Sequence, residues 1–212
     1  LSLKTLTQIR RARDYIENAN PETLVSLTHR IRSDVRDENI VPWFGADDKD
    51  PHNPKFTEIE PQIYNHDATP YESIMLGYFV VWQGPENNVC EKLGIQKRNE
   101  VFIGYSRDGF HWDRPLHEAF IGVNQTEGAW NWGNVQSVAG CPVIKGDSLY
   151  FYVSGRRLTK DHKSWDSYTS TGLATLRRDG FVSMNTNSDG YLTTHNIVFN
   201  GNYFFVNADA KG

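Results

Sequence analysis

Met75 to Trp82 is apolar at every position, the pattern of a strand covered on both faces. Ser148 to Ser154 behaves differently. Leu149, Phe151 and Val153 alternate there with tyrosines, which predicts a strand with one face buried. Further strands are predicted over Glu100 to Tyr105, Gln136 to Val143 and Gly172 to Leu176, with three short ones near Tyr191, Ile197 and Tyr203. The stretch from Pro61 to Gly77 begins with Ile63 and Tyr64 and ends in the apolar run, with polar groups between. Glycine-bearing turns separate these runs: Ser106-Arg-Asp-Gly109, Lys145-Gly-Asp147 and Arg178-Asp-Gly180. Gly84 to Arg98 is a polar excursion.

Upstream the pattern is weaker. Residues 3–13 read as a strand ending at Asp14 or as a short helix, since Leu3, Leu6 and Ile9 are spaced by three. Asn18 to Pro21 is a turn, residues 24–32 fit neither period, and Ile40 to Phe44 is short and apolar. Residues 45–54 are dense in acids and prolines, where neither a helix nor a central strand forms.

Beyond residue 40 nearly everything is short strands and turns, so the chain is expected to be all-β. Arg-Asp-Gly-Phe occurs at 107–110 and again at 178–181, each time after a strand, and Ala12-Arg13-Asp14 reads as a degraded third copy. A strand that recurs with the same turn implies repeated four-stranded units, as in a β-propeller. The interval exceeds the ~40–50 residues usual for one blade, so such blades carry insertions. A β-sandwich would give the same strand density.

Composition narrows the chemistry. The 212 residues suit one medium domain or two small ones with a sizeable core. A net charge of −4 offers no basic field for nucleic acid or anionic lipid. No cysteine or histidine spacing suggests structural zinc, and Cys90 and Cys141 can be a disulfide or two buried thiols. No apolar run is long enough to cross a membrane, and no signal peptide opens the chain. The sequon at Asn124 and an aromatic content of 13% lean towards a secreted protein. Both ends read as cut from something longer.

The run Ser106-Arg-Asp-Gly-Phe-His-Trp-Asp-Arg-Pro115 resembles the blade-closing turn of five-bladed propeller glycoside hydrolases. These are the invertase-like and arabinanase-like groups, families thirty-two and forty-three, and their relatives. Trp43 to Pro51, Pro70 to Gly77 and Thr171 to Phe181 add to the likeness. The resemblance implies a partial propeller of about three blades over 1–184, and in 185–212 either the start of a C-terminal β-sandwich or the last propeller strands. It also implies hydrolysis of a glycosidic bond in a poly- or oligosaccharide, with carboxyl groups on either side of that bond. Glu72 matches the general acid, its proton held by desolvation beside Tyr71, and Asp50 matches the transition-state stabiliser, with Asp47 and Asp48 as competitors. The family's nucleophile or base comes from a first blade that has no counterpart here.

Beside these, Asp48, Tyr71, Gln136 and Arg156 are candidate sugar contacts, and Trp130 and Trp132 are candidate stacking platforms or packing between blades. The acidic loop 47–50 can instead be solvated or hold a structural calcium ion; no other cofactor is expected. The competing functions are a non-catalytic sugar-binding or structural subunit of a larger assembly, and a sialidase-like or lectin-type propeller built around arginines.

Overall fold

A computed structural model describes residues 13–15, 41–126, 128–157 and 168–209. They divide into two compact units, Leu1–Asp179 and Gly180–Gly212. In the first unit nine strands and one helix are described: β1 (Arg13–Tyr15), β2 (Val41–Phe44), β3 (Gln62–Tyr71), β4 (Ile74–Trp82), α1 (Asn87–Leu93), β5 (Asn99–Ser106), β6 (Val135–Val138), β7 (Val143–Lys145), β8 (Ser148–Arg157) and β9 (Tyr168–Arg177). All strand pairings are antiparallel. The fold is all-β, as the pattern predicts.

The strands form two like meanders and a small β1–β2 ladder. In the first meander β3 pairs with β4 and β4 with β5. Short antiparallel bridges then extend the outer edge of β5, Val101 to Ile121 and Tyr105 to Asp113. In the second, β6 and β7 lie on one edge of β8 and β9 lies on the other. The strand expected over 136–143 is thus two pieces, interrupted where Gly140 takes φ +59.

Arg-Asp-Gly-Phe follows the last strand of both meanders, so the sequence repeat marks a structural one. Its first copy closes on itself. Asp108 Oδ1 accepts the backbone N–H groups of Phe110 and His111, at 2.9 and 2.8 Å, and Ser106 Oγ accepts that of Gly109 at 2.9 Å. Hydrogen bonding from His111, side chain and backbone, holds the Asp108 carboxyl far below its ordinary range. The second copy instead reaches across to β3, with Asp179 at φ +59 and its Oδ1 accepting the Tyr71 hydroxyl at 2.6 Å. Arg13 and Asp14 are residues of strand β1, so the supposed third copy does not occupy a turn after a strand.

One face of the first meander carries Ile63, Phe79, Val81 and Phe102, covered by Phe44, Ala46 and Trp112. Gly77 allows this packing, because a Cβ there would meet the rings of Trp112, His66 and Phe79 within 2.8 Å. On the other face, Tyr78 meets Phe151 of β8 edge-to-face at 6.0 Å, and Phe120 packs on both.

Three expectations are corrected. Gly84 to Arg98 contains helix α1, closed by Gly94 at φ +64, whose N–H reaches back to the last carbonyls. Cys90 is buried, Cys141 is exposed, and both are free thiols. Among the described residues of the second unit there is no strand or helix, and Tyr191, Phe199 and Phe205 are exposed. Alternation makes a strand only where a neighbour takes up its backbone groups. Residues 24–32 and most of 3–13 lie outside the described residues. Among the described residues no helix is long and apolar enough to cross a membrane.

Candidate functional site

Both meanders place a β-bulge near the start of the first strand. Ile63 pairs with Val81 and Asn65 with Val80, so Tyr64 is the extra residue in β3. Val135 pairs with Gly155 and Ser137 with Ser154, so Gln136 is the extra residue in β6. A bulge re-aims a side chain out of the regular alternation. These two are aimed at each other, and Gln136 Nε2 donates to the Tyr64 hydroxyl at 3.3 Å.

Two cations complete the cluster. Lys97 Nζ lies 5.0 Å from the centre of the Tyr64 ring and 3.4 Å from its hydroxyl. Arg156 Nη2 is 3.5 Å from Gln136 Oε1, and its Nη1 donates to Thr169 Oγ1 at 2.8 Å. Asn134, fully buried, donates to the Lys97 carbonyl at 3.1 Å and so fixes that segment against β6. Tyr64, Lys97, Gln136 and Arg156 are all half-buried. The result is a set of hydroxyl, amide and cationic groups facing one place from two sheets. Such groups bind sugar hydroxyls or an anion.

Gln136 and Arg156 are therefore brought together, as sequence candidates for substrate contact. Tyr64 and Lys97 were missed. Tyr64 looks like an ordinary strand residue until the register shows it to be bulged, and Lys97 sits in a stretch with no period.

The remaining candidates lie elsewhere. Trp132 lines a cavity of about 280 Å³ beside the 53–56 turn. Trp130 packs flat over Gly155 and Gly172, where any Cβ would overlap its ring, and its carbonyl accepts the Ser170 hydroxyl at 2.5 Å. That favours the packing role for Trp130. Tyr71 is only 8% exposed, and burial together with its bond to Asp179 raises its hydroxyl pKa. It belongs to the contact between β3 and the second turn. Asp48 is exposed in the 48–49 turn.

Glu72 stands at the tip of the β3–β4 hairpin with φ +51. The desolvated setting expected for it is absent. Its side chain is 61% exposed and pairs with Arg178 Nη2 at 3.0 Å. Asp50 is the opposite case, with its side chain fully buried. Arg114 grips it by two bonds of 2.7 and 2.9 Å and reaches Asp47 with another of 2.9 Å. The guanidinium lies 5.4 Å from the centre of the Phe79 ring, so it also caps the core. Burial raises the Asp47 carboxyl, but the Lys49 amide, His117 and Arg114 outweigh it and the net shift is downward.

Asp47, Asp50 and His117 offer donor atoms within 4.8 Å of one another. They do not fit calcium, which takes six or more oxygen ligands. Arg114 already engages both Asp50 oxygens and supplies the positive charge, and one of the three donors is an imidazole nitrogen.

No family model and no curated protein matches the chain. Solved structures similar to it include a glycosyl hydrolase from Bacteroides ovatus, at 13% identity and TM-score 0.44, covering 64% of this chain and 35% of that one. Another belongs to the GH130 family of mannoside phosphorylases, which contains glycoside hydrolases that target β-1,2 mannosidic linkages in Candida mannan. It stands at 11% identity and TM-score 0.43 and covers 64% and 35%. A glycoside hydrolase structure from Parabacteroides distasonis gives 12% identity, TM-score 0.46 and coverage of 69% and 39%. The chain thus spans little more than a third of the length of these structures.

Proposed function

We propose that this chain is part of a carbohydrate-active β-propeller and that its sugar binds at Tyr64, Lys97, Gln136 and Arg156. The observation that carries the reading is the pair of bulges at like positions of two repeated meanders, which turns Tyr64 and Gln136 towards each other. Repeated blades that each give one residue to a shared site are how propellers build ligand sites. Hydroxyl and amide groups on two sheets, flanked by cations, match the many donors and acceptors of a sugar.

Hydrolysis is the finer proposal. Glu72 acts as general acid on a sugar chain long enough to run from Tyr64 to the far end of β3. Asp50 takes the stabiliser role only if Arg114 releases it, and the base or nucleophile is supplied from outside the residues named here. The exposed Glu72–Arg178 pair is worth only ~0–1 kcal/mol, so a substrate can displace the arginine and desolvate Glu72, which the acid role requires. The alternative, a sugar-binding or structural subunit that does not hydrolyse, is favoured by the grip of Arg114 on both Asp50 oxygens.

Reducing-end release from a panel of poly- and oligosaccharides separates the two, measured on the parent protein with Glu72→Gln and Gln136→Ala. Hydrolysis through Glu72 predicts a kcat lower by ~10²–10⁴-fold in Glu72→Gln. Gln136→Ala is expected to weaken sugar binding by about tenfold in either case. Unchanged turnover in Glu72→Gln overturns the general-acid role, and unchanged binding in Gln136→Ala overturns the proposed site.

A further inference from the structure

We infer that the cavity lined by Lys55, Phe56, Gln96, Arg98, Gln125 and Trp132 is a second binding site, one that takes an anionic sugar unit. Its volume of about 280 Å³ lies just below the range of drug-sized pockets and suits a single ring. Trp132 and Phe56 give it flat apolar walls of the kind that cover the C–H face of a pyranose. Gln96 and Gln125 give amide groups for hydroxyls.

Among the described residues that line the cavity two are cations and none is acidic, in a chain whose net charge is −4. Glu100 partly neutralises Arg98 through bonds of 3.0 Å to Nε and Nη2. Those bonds fix the guanidinium and, among the described residues, leave Nη1 without a bond. Lys55 has no acidic partner among the described residues. Gln96 Nε2 is buried without a hydrogen-bond partner, a donor that a ligand oxygen would satisfy after a small shift.

The walls are built rather than accidental. Asn53 donates to the Gly84 carbonyl at 3.1 Å and accepts the Lys55 N–H at 2.9 Å, which holds the 53–56 turn in place. Gly133 takes φ +67, which favours glycine, and a Cβ there would come within 3.1 Å of Gln96 and press on it. Residues 96–98 serve two places at once. Lys97 faces Tyr64, while Gln96 and Arg98 line the cavity.

For the nature of the ring this inference rests on the carbohydrate reading above; for the charge it rests on the lining alone. The test is calorimetric titration of the protein with D-glucuronic acid and with D-glucose, repeated on Lys55→Gln and Gln136→Ala. Lys55 is exposed, so its variant folds. Glucuronic acid is expected to bind about tenfold more tightly than glucose. Lys55→Gln should remove that preference, and Gln136→Ala, which acts on the other site, should still bind glucuronic acid. Equal binding of the two sugars overturns the inference. So does glucuronic acid binding that survives Lys55→Gln but is lost in Gln136→Ala, an outcome that leaves the Tyr64–Gln136 site standing. Binding of neither sugar removes both proposals.

Discussion

The two meanders share one topology and differ in how many faces they bury. In the first, β4 is buried from Leu76 to Trp82 because Phe44, Ala46 and Trp112 cover one side and Phe151 lies against the other. In the second, Leu149, Phe151 and Val153 are buried on one side. On the other side of β8, Tyr152, its cross-strand partner Leu173 and nearby Val143 are about half exposed. The lesson is local. An unbroken apolar run and a strict alternation are two answers to the same question, how many neighbours a sheet has.

A matched pair of truncations should show the difference between the two meanders most strongly. Phe79→Ala removes a ring that packs on Phe44, His66 and Trp112, and should cost ~3–5 kcal/mol in denaturant unfolding. Tyr152→Ala, on the bare face, should stay within ~0.5 kcal/mol. Similar losses would mean that the second meander is covered on both faces in solution.

The ion pairs give a second contrast. Arg114→Ala leaves Asp50 buried without its partner and should cost ~3–5 kcal/mol by the same unfolding assay. Arg178→Ala, which frees exposed Glu72, should cost under ~1 kcal/mol. Equal effects would show that Asp50 is hydrated.

Gly172→Ala then probes the covered face of the second meander. Its Cβ would run into the Trp130 ring, so a loss of ~1–3 kcal/mol with a shifted tryptophan fluorescence maximum is expected. An unchanged midpoint would mean that Trp130 is mobile there.

The smallest effects come from pH. The folded pKa of Tyr71 is raised, so its contribution is full below about pH 10 and declines as pH rises through the folded value. The folded pKa of Asp47 is lowered, so its contribution is full above about pH 4 and is lost as pH falls through the folded value. Tyr71→Phe should flatten the alkaline limb of midpoint against pH, and Asp47→Asn the acid limb.

Much of the fold is legible along the chain because periodicity and turn chemistry are local. The apolar run marks β4, the tyrosine alternation marks β8, and Gly146 with φ +58 makes the turn between β7 and β8. The repeated Arg-Asp-Gly-Phe falls after the last strand of each meander. Local patterning also misled. Polar Asn65, His66 and Asp67 hid a ten-residue strand, and the alternation near Tyr191 produced none.

The sites were decided at longer range. Arg114 and Asp50 are 64 positions apart, and Gln136 and Tyr64 are 72 apart. Composition and spacing determined that this chain is all-β, repeated and without a basic field. Only tertiary structure decided that Tyr64 and Gln136 are bulged towards each other, that Asp50 is held by Arg114, and that Glu72 lies open on a hairpin tip. The physical reason is that alternation records which face of a strand a residue takes, whereas a site depends on register and on what a distant segment lays over that face.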